Sequence, residues 1–246
     1  MARNLDIGLG ALTEDLFGLN IRGVRTVAAT FIQPREVFDA ARHPTWLDRY
    51  TPTIRLAFFM LSLTAVFRFL WASEEGAFAA AITEQFVDLA DDLGDDFDPA
   101  AAMERYFGVY AAMIPFAWLA TQSLLSLVLR VWGKGTGAVL RLRLHMTALI
   151  PSTLFGLLFL LTMPVLFKDV AALLSAWTFA SSGLMVALDV TTSFRGGVGG
   201  ETRTGRIVRA STFGLFVFLA NVVVSVVASA VAYAAVILGS GHRNFV

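Results

Sequence analysis

Five apolar segments, Pro52 to Trp71, Phe107 to Leu129, Met146 to Phe167, Val170 to Leu188 and Thr212 to Leu238, are each long enough to cross a lipid bilayer. A helix rising about 1.5 Å per residue needs about 20 apolar residues to traverse the hydrocarbon, where only helices and closed barrels satisfy their own backbone groups. The predicted fold is therefore all-α, a polytopic membrane protein built as a bundle of five transmembrane helices. Hydrophobic residues at 57%, charged residues at 15% and a mean hydropathy of +0.68 agree with lipid as the main solvent. Residues 1–51 read as a cytoplasmic N-terminal segment, 52–238 as the transmembrane domain and 239–246 as an external tail.

A net charge of zero conceals a strong asymmetry. Arg3, Arg22, Arg25, Arg35, Arg42 and Arg49 precede the first span; Arg130, Lys134, Arg141 and Arg143 follow the second; Arg195, Arg203, Arg206 and Arg209 follow the fourth. The other side holds only Arg105, Lys168 and Arg243, with Arg55 and Arg68 inside the first span. Basic loops stay cytoplasmic, so fourteen residues against three predict an N terminus inside and, after five crossings, a C terminus outside. The first twenty residues lack a basic start followed by an apolar core, so no cleavable signal is expected.

Before the first span, Ile21, Val24, Val27, Ala28, Phe31 and Ile32 recur at helical spacing, with Arg22 and Arg25 off the stripe. Such a helix fits the headgroup layer, apolar side down, each arginine drawn to anionic lipid by about 1 kcal/mol; it fits equally well against the cytoplasmic ends of the spans. Pro34 suits the first turn of a second short helix with Val37, Phe38 and Ala41 on one side. Trp46 and Tyr50 are expected as interface anchors, and Thr51 with Pro52 as N-cap and first turn of the first span. Lipid or partner contact is accordingly assigned to Arg22, Arg25, Phe31, Trp46 and Tyr50.

Between the first two spans, residues 73–105 carry ten acids and one base. Phe78, Ile82, Phe86, Leu89 and Leu93 form one helical stripe that Gly94 would end, and Asp98 with Pro99 would start a long helix through the second span. Asp91, Asp92, Asp95, Asp96 and Asp98 lack the Asp-x-Asp-x-Asp-Gly order of a calcium loop, so a solvated acidic face is expected here.

Counted from the cytoplasmic ends, Gln122, Ser152, Thr153, Ser181, Ser182 and Asn221 all fall about 9 to 14 Å deep and form a candidate polar layer. Hydrogen bonds between helices are the usual fate of such groups. Asn221 also shares a face with Ser225, Ala228, Ser229 and Ala232, small residues that admit a neighbouring backbone. Pro115, Pro151 and Pro164 interrupt two spans; Ser152 and Thr153 stand ready to serve the carbonyl that Pro151 frees. Arg68 is expected to snorkel outward past Trp71.

Reactive chemistry is sparse. Cysteine is absent, and His43 and His145 at the cytoplasmic boundary with His242 in the tail make no ligand pair, so no metal centre is expected. Gly133 to Gly137, GKGTG, lacks the GxxxxGK[ST] order and reads as a flexible turn. Asp189 sits at the cytoplasmic end of the fourth span, leaving no acid well inside one for a proton relay. No enzyme activity, cofactor or nucleic-acid partner is expected; membrane lipids and a protein partner or second copy are.

The run FIQPREVFDAARHPTW before the first span and WGKGTGAVLRLRLHMTALIP before the third resemble bacterial members of the Yip-type integral membrane proteins and related five-span families. The likeness rests on Pro34, Phe38, Pro44, Gly133, Lys134, Gly135 and Pro151. It implies a five-helix bundle with a cytoplasmic N-terminal segment and, for eukaryotic relatives, a role in membrane trafficking; it brings no catalytic residues. Two functions follow: a non-enzymatic protein that docks a partner or organises lipid, or a small transporter or lipid-translocating protein using the polar layer. A membrane enzyme would need Arg141, Arg143 and His145 joined to a carboxylate in one cleft.

Overall fold

The computed structural model describes residues 21–43, 45–72, 83–88, 90, 97–166 and 171–239, and over these residues it is helical with no strand. Its helices are α1 (Ile21–Ile32), α2 (Pro34–Ala41), α3 (Trp46–Arg49), α4 (Thr53–Ala72), α5 (Pro99–Val128), α6 (Ala138–Leu166), α7 (Ala171–Gly196) and α8 (Arg203–Gly239). Among the described residues α5, the Ala138–Thr162 part of α6, and α8 are long and apolar enough to cross a membrane. The bounds of α4 and α7 overlap the other two apolar runs of the sequence.

Local chemistry sets the helix starts. Pro34 opens α2, where its missing N–H costs nothing. Asp98 caps α5 by accepting from the N–H groups of Ala100 at 2.9 Å and Ala101 at 3.3 Å, with Pro99 in the first turn; such a cap contributes about 1 kcal/mol. At α4 the Pro52 carbonyl receives the first helical bond, from Leu56 N, while Thr51 donates its own N–H to Thr26 Oγ1 at 2.9 Å. Thr51 thus ties α1 to the start of α4 as well as preceding it.

α6 is the central helix. It packs against α4, α5, α7, α1 and α2, and the ten residues from Leu144 to Thr153 are buried without interruption. α8 lies along α5 and α7, burying Phe213, Val217, Val224, Ala228, Ala232 and Val236 on one side. Its other side exposes Val222, Val223, Val226 and Val227, and α5 exposes Phe116, Leu124 and Val128. Aliphatic surface of this extent would cost about 25 cal/mol per Å² in water; against acyl chains it is matched. At the far end from α1, Phe86 of the helical stretch 83–88 stacks on Tyr233 with ring centroids 5.2 Å apart and packs with Phe97, Tyr106 and Phe107. The expectations for Phe78, Ile82, Leu89, Leu93, Gly94 and Asp91, Asp92, Asp95 and Asp96, and for the side chains of Arg68, Trp71 and Pro164, lie outside the described residues.

The N-terminal helices cover the bundle end that carries the basic loops. α1 turns Thr26 and Thr30 inward and packs Val27 against the core, while Val24 (64%), Ala28, Phe31 and Ile32 (69%) of its apolar stripe are exposed. Thr26 Oγ1 donates to Arg22 O while receiving the Thr51 amide, and these bonds make the threonine face the better one to bury. α2 buries Val37, Phe38 and Ala41 completely. Phe38 lies against Trp132 at 5.4 Å and over Gly196, where any β-carbon would meet its ring. Trp46 (4%) and Tyr50 (2%) correct the expectation of interface anchors: both are core residues, with Trp46 under the Arg143 guanidinium at 4.8 Å. The turn from α2 into α3, held by His43 N–H to Ala40 O and Trp46 N–H to His43 O, precedes both rings, which belong to the same core cluster as Val37 and Phe38.

Candidate functional site: a buried polar chain

α5, α6 and α8 each contribute one polar side chain to a continuous string. His145 Nε2 lies 2.9 Å from Gln122 Oε1, and Gln122 Nε2 donates to Asn221 Oδ1 at 2.9 Å. Gln122 and His145 are fully buried, and Asn221 is half-buried at the edge of α8. The amide of Gln122 fixes the direction of the string: its oxygen accepts from His145 Nε2–H, and its nitrogen serves Asn221. Phe213 meets the imidazole edge-on at 5.0 Å, and Trp132 meets Phe213 at 5.4 Å. His145 Nδ1 is buried without a hydrogen-bond partner among the described residues.

Ser152, one α6 face further along, donates to Asp189 Oδ1 of α7 at 2.5 Å, and its hydroxyl also lies 3.0 Å from the Leu149 carbonyl. Asp189 is only 2% exposed, with Thr192 and Ser193 buried beside it on α7. Thr153 turns to its own helix, donating to Leu149 O at 2.8 Å. Thr153 thus serves Leu149 and Ser152 serves Asp189, which corrects the expectation that these hydroxyls serve the Thr147 carbonyl left free by Pro151. Ser181 is buried and Ser182 half-buried on α7.

The structure thus joins Gln122 to Asn221 and gives Ser152 a different partner. On α8, Ala228 and Ala232 are buried and Ser229 Oγ lies 2.8 Å from Tyr106 Oη. Ser225 corrects the packing stripe: one position past buried Val224 and so about 100° round the helix, it is exposed. Sequence reasoning missed His145 and Asp189. Both lie beyond the ends of the apolar runs, yet α6 starts seven residues before His145 and α7 continues seven past Asp189. The uninterrupted helix-compatible residues from Ala138 to Met146 and from Asp189 to Phe194 were the available signal.

Arginines at the basic end cap helices. Arg141 donates to Leu127 O of α5 at 2.7 Å, Arg143 to Ala41 O of α2 at 2.9 Å, and Arg206 to Phe194 O of α7 at 3.3 Å. Arg195 takes both Phe31 O (3.1 Å) and Ile32 O (2.8 Å) at the end of α1. Each guanidinium meets carbonyls that the last helical turn leaves unpaired, where the helix dipole also favours a cation. Arg141, Arg143 and His145 reach three separate partners, as alternate positions on one helix must. Comparison with protein families, curated proteins and solved structures finds no match.

Proposed function

We propose that this chain is a non-enzymatic, five-crossing protein of a bacterial inner membrane, with its N terminus cytoplasmic and its C terminus external, that organises lipid at its cytoplasmic face. The observation that carries this reading is Gln122, bonded at both ends to side chains of two other helices. Polar groups at membrane depth are spent on holding the bundle together, each such bond contributing about 0.6 kcal/mol on average. The exposed part of the apolar stripe of α1, flanked by exposed Arg22 and Arg25, supports an amphipathic helix lying in the headgroup layer. Gathering of the N-terminal helices with the loops after α5 and α7 at one end, through Arg195, Arg143 and the Gly199 N–H to Val131 O bond of 2.9 Å, supports the orientation read from the arginines. Kinship with Yip-type membrane proteins belongs to the same proposal.

A transporter is the second reading, and Asp189 favours it: a carboxyl enclosed between two helices of a membrane bundle marks ion or proton pathways in other proteins. Purification in mild detergent, with mass spectrometry of what remains bound, tests the two together with solute flux in reconstituted vesicles. Retained lipid without flux supports the lipid-organising reading; flux that Asp189→Asn abolishes overturns it.

A further inference from the structure

The turn joining α5 to α6, with Arg141 near the start of α6 and Arg209 of α8, borders an open cavity of about 420 Å³. Four cations line it, Arg130 and Lys134 from the turn, Arg141 from α6 and Arg209 from α8, and no carboxylate does. Among the described residues no ion pair neutralises any of the four; the pair that is formed, Arg35 with Asp39, lies on α2. The cavity is built rather than incidental. Gly133 and Gly135 hold left-handed backbone (φ +113° and +79°), and Thr136 closes the turn by donating to Gly133 O at 3.1 Å. Gly199 binds Val131 O through its N–H, and its missing β-carbon would stand 2.8 Å from the Gly133 backbone and 3.0 Å from the Arg209 guanidinium. That contact brings Arg209 to the turn.

Unpaired like charges around one space repel, and an oxyanion relieves the repulsion while filling several donors at once. The surroundings identify the source of that anion. Val128 (74% exposed) stands two residues before Arg130, and Leu124 (65%) lies one turn deeper on the same face of α5. A cationic cup rimmed by exposed aliphatic side chains at the end of a membrane helix suits a group whose phosphate is charged and whose tails are apolar. We propose that this cavity binds the phosphate of an anionic phospholipid from the cytoplasmic leaflet, the acyl chains running along Val128 and Leu124 of α5. The proposal rests on the membrane orientation given above and specifies which lipid chemistry is held and where.

The test uses the full chain reconstituted in phosphatidylcholine with phosphatidylglycerol, extracted in mild detergent, with retained lipid measured by native mass spectrometry. Phosphatidylglycerol should remain bound in preference to phosphatidylcholine, and Arg130→Gln with Lys134→Gln and Arg209→Gln should lower its retention about tenfold or more. Arg141 is left in place because it caps α5. Lys134→Gln alone, at an exposed turn position, should lower retention in the same direction and decides the matter if the triple variant fails to fold. Arg35→Gln, which removes a charge already paired with Asp39 on α2, should leave it unchanged. Equal retention by the cavity variants overturns the proposal. Protection of lipid-free protein against heating by inorganic phosphate as strong as that by phosphatidylglycerol overturns the lipid source. A chain that reconstitutes in the expected orientation yet holds no phosphatidylglycerol defeats this inference alone, whereas a reversed orientation defeats the reading beneath it.

Discussion

Ser152 and Asp189 meet 2.5 Å apart across the interface of α6 and α7, a hydroxyl and a carboxyl both withdrawn from solvent. Removing the hydroxyl by Ser152→Ala leaves the carboxyl without its donor from α6 and should cost about 1–3 kcal/mol. Asp189→Asn keeps an acceptor oxygen in reach and should stay near wild type. Thermal unfolding in detergent reads both; a Ser152→Ala protein that melts with wild type removes the contact from the account of stability.

Along the other polar string the order of effects is diagnostic. Asn221→Leu strips one partner from Gln122 and should cost about 0.5–2 kcal/mol, while Gln122→Leu orphans both His145 and Asn221 and should cost more. The same unfolding assay ranks them, and a reversed order means that the string does not act as a unit.

Two glycines make a paired test of close packing. At Gly199 a β-carbon would meet backbone atoms of Gly133 at 2.8 Å, and backbone cannot swing aside as a side chain does, so Gly199→Ala should destabilise by about 1–3 kcal/mol. Gly108, inside α5, has nothing within 4 Å of that position, and Gly108→Ala should stabilise by up to about 1 kcal/mol. Indistinguishable melting of the two variants contradicts the docked loops.

The hold on α1 has two parts that separate by mutation. Arg195→Gln removes the clamp on the Phe31 and Ile32 carbonyls, and Val24→Asp with Phe31→Asp removes the apolar surface offered to lipid. Each should raise protease cleavage between residues 21 and 32 in vesicles, and combining them should raise it further. Cleavage unaffected by the aspartates places α1 clear of the headgroup layer.

The chain has no cysteine, so single introduced thiols report on orientation without background. Gly197→Cys should resist impermeant maleimide in intact cells, and a cysteine added after Val246 should react. The reverse pattern rejects the assigned topology.

Positions that act through their own neighbours in the chain were readable from sequence. Asp98 beside Pro99 marked the start of α5, and Pro34 that of α2, because capping and the missing proline N–H are local chemistry. The common depth of Gln122 and Asn221 was also readable from helix rise, but their meeting depends on how α5 and α8 are rotated about their axes, ninety-nine residues apart. His145 and Asp189 escaped for another reason. Hydropathy ends a span at its first polar residue, whereas α6 and α7 run on past the apolar core under the cover of α2, which converts a presumed boundary into interior. The same cover buried Trp46 and Tyr50, whose composition alone matched the headgroup layer.

Arg195 grips the end of α1 from 164 and 163 residues further along the chain. At about 5–20 residues per second, α1 waits roughly 10–30 s for the residue that fastens it. Thr51 arrives far sooner, 25 residues after Thr26, so the middle of α1 gains its tie to α4 while its last turn still waits for Arg195. Order of synthesis thereby makes the cover over this end of the bundle a late event, completed when α7 fastens the end of α1 after most of the chain has been made.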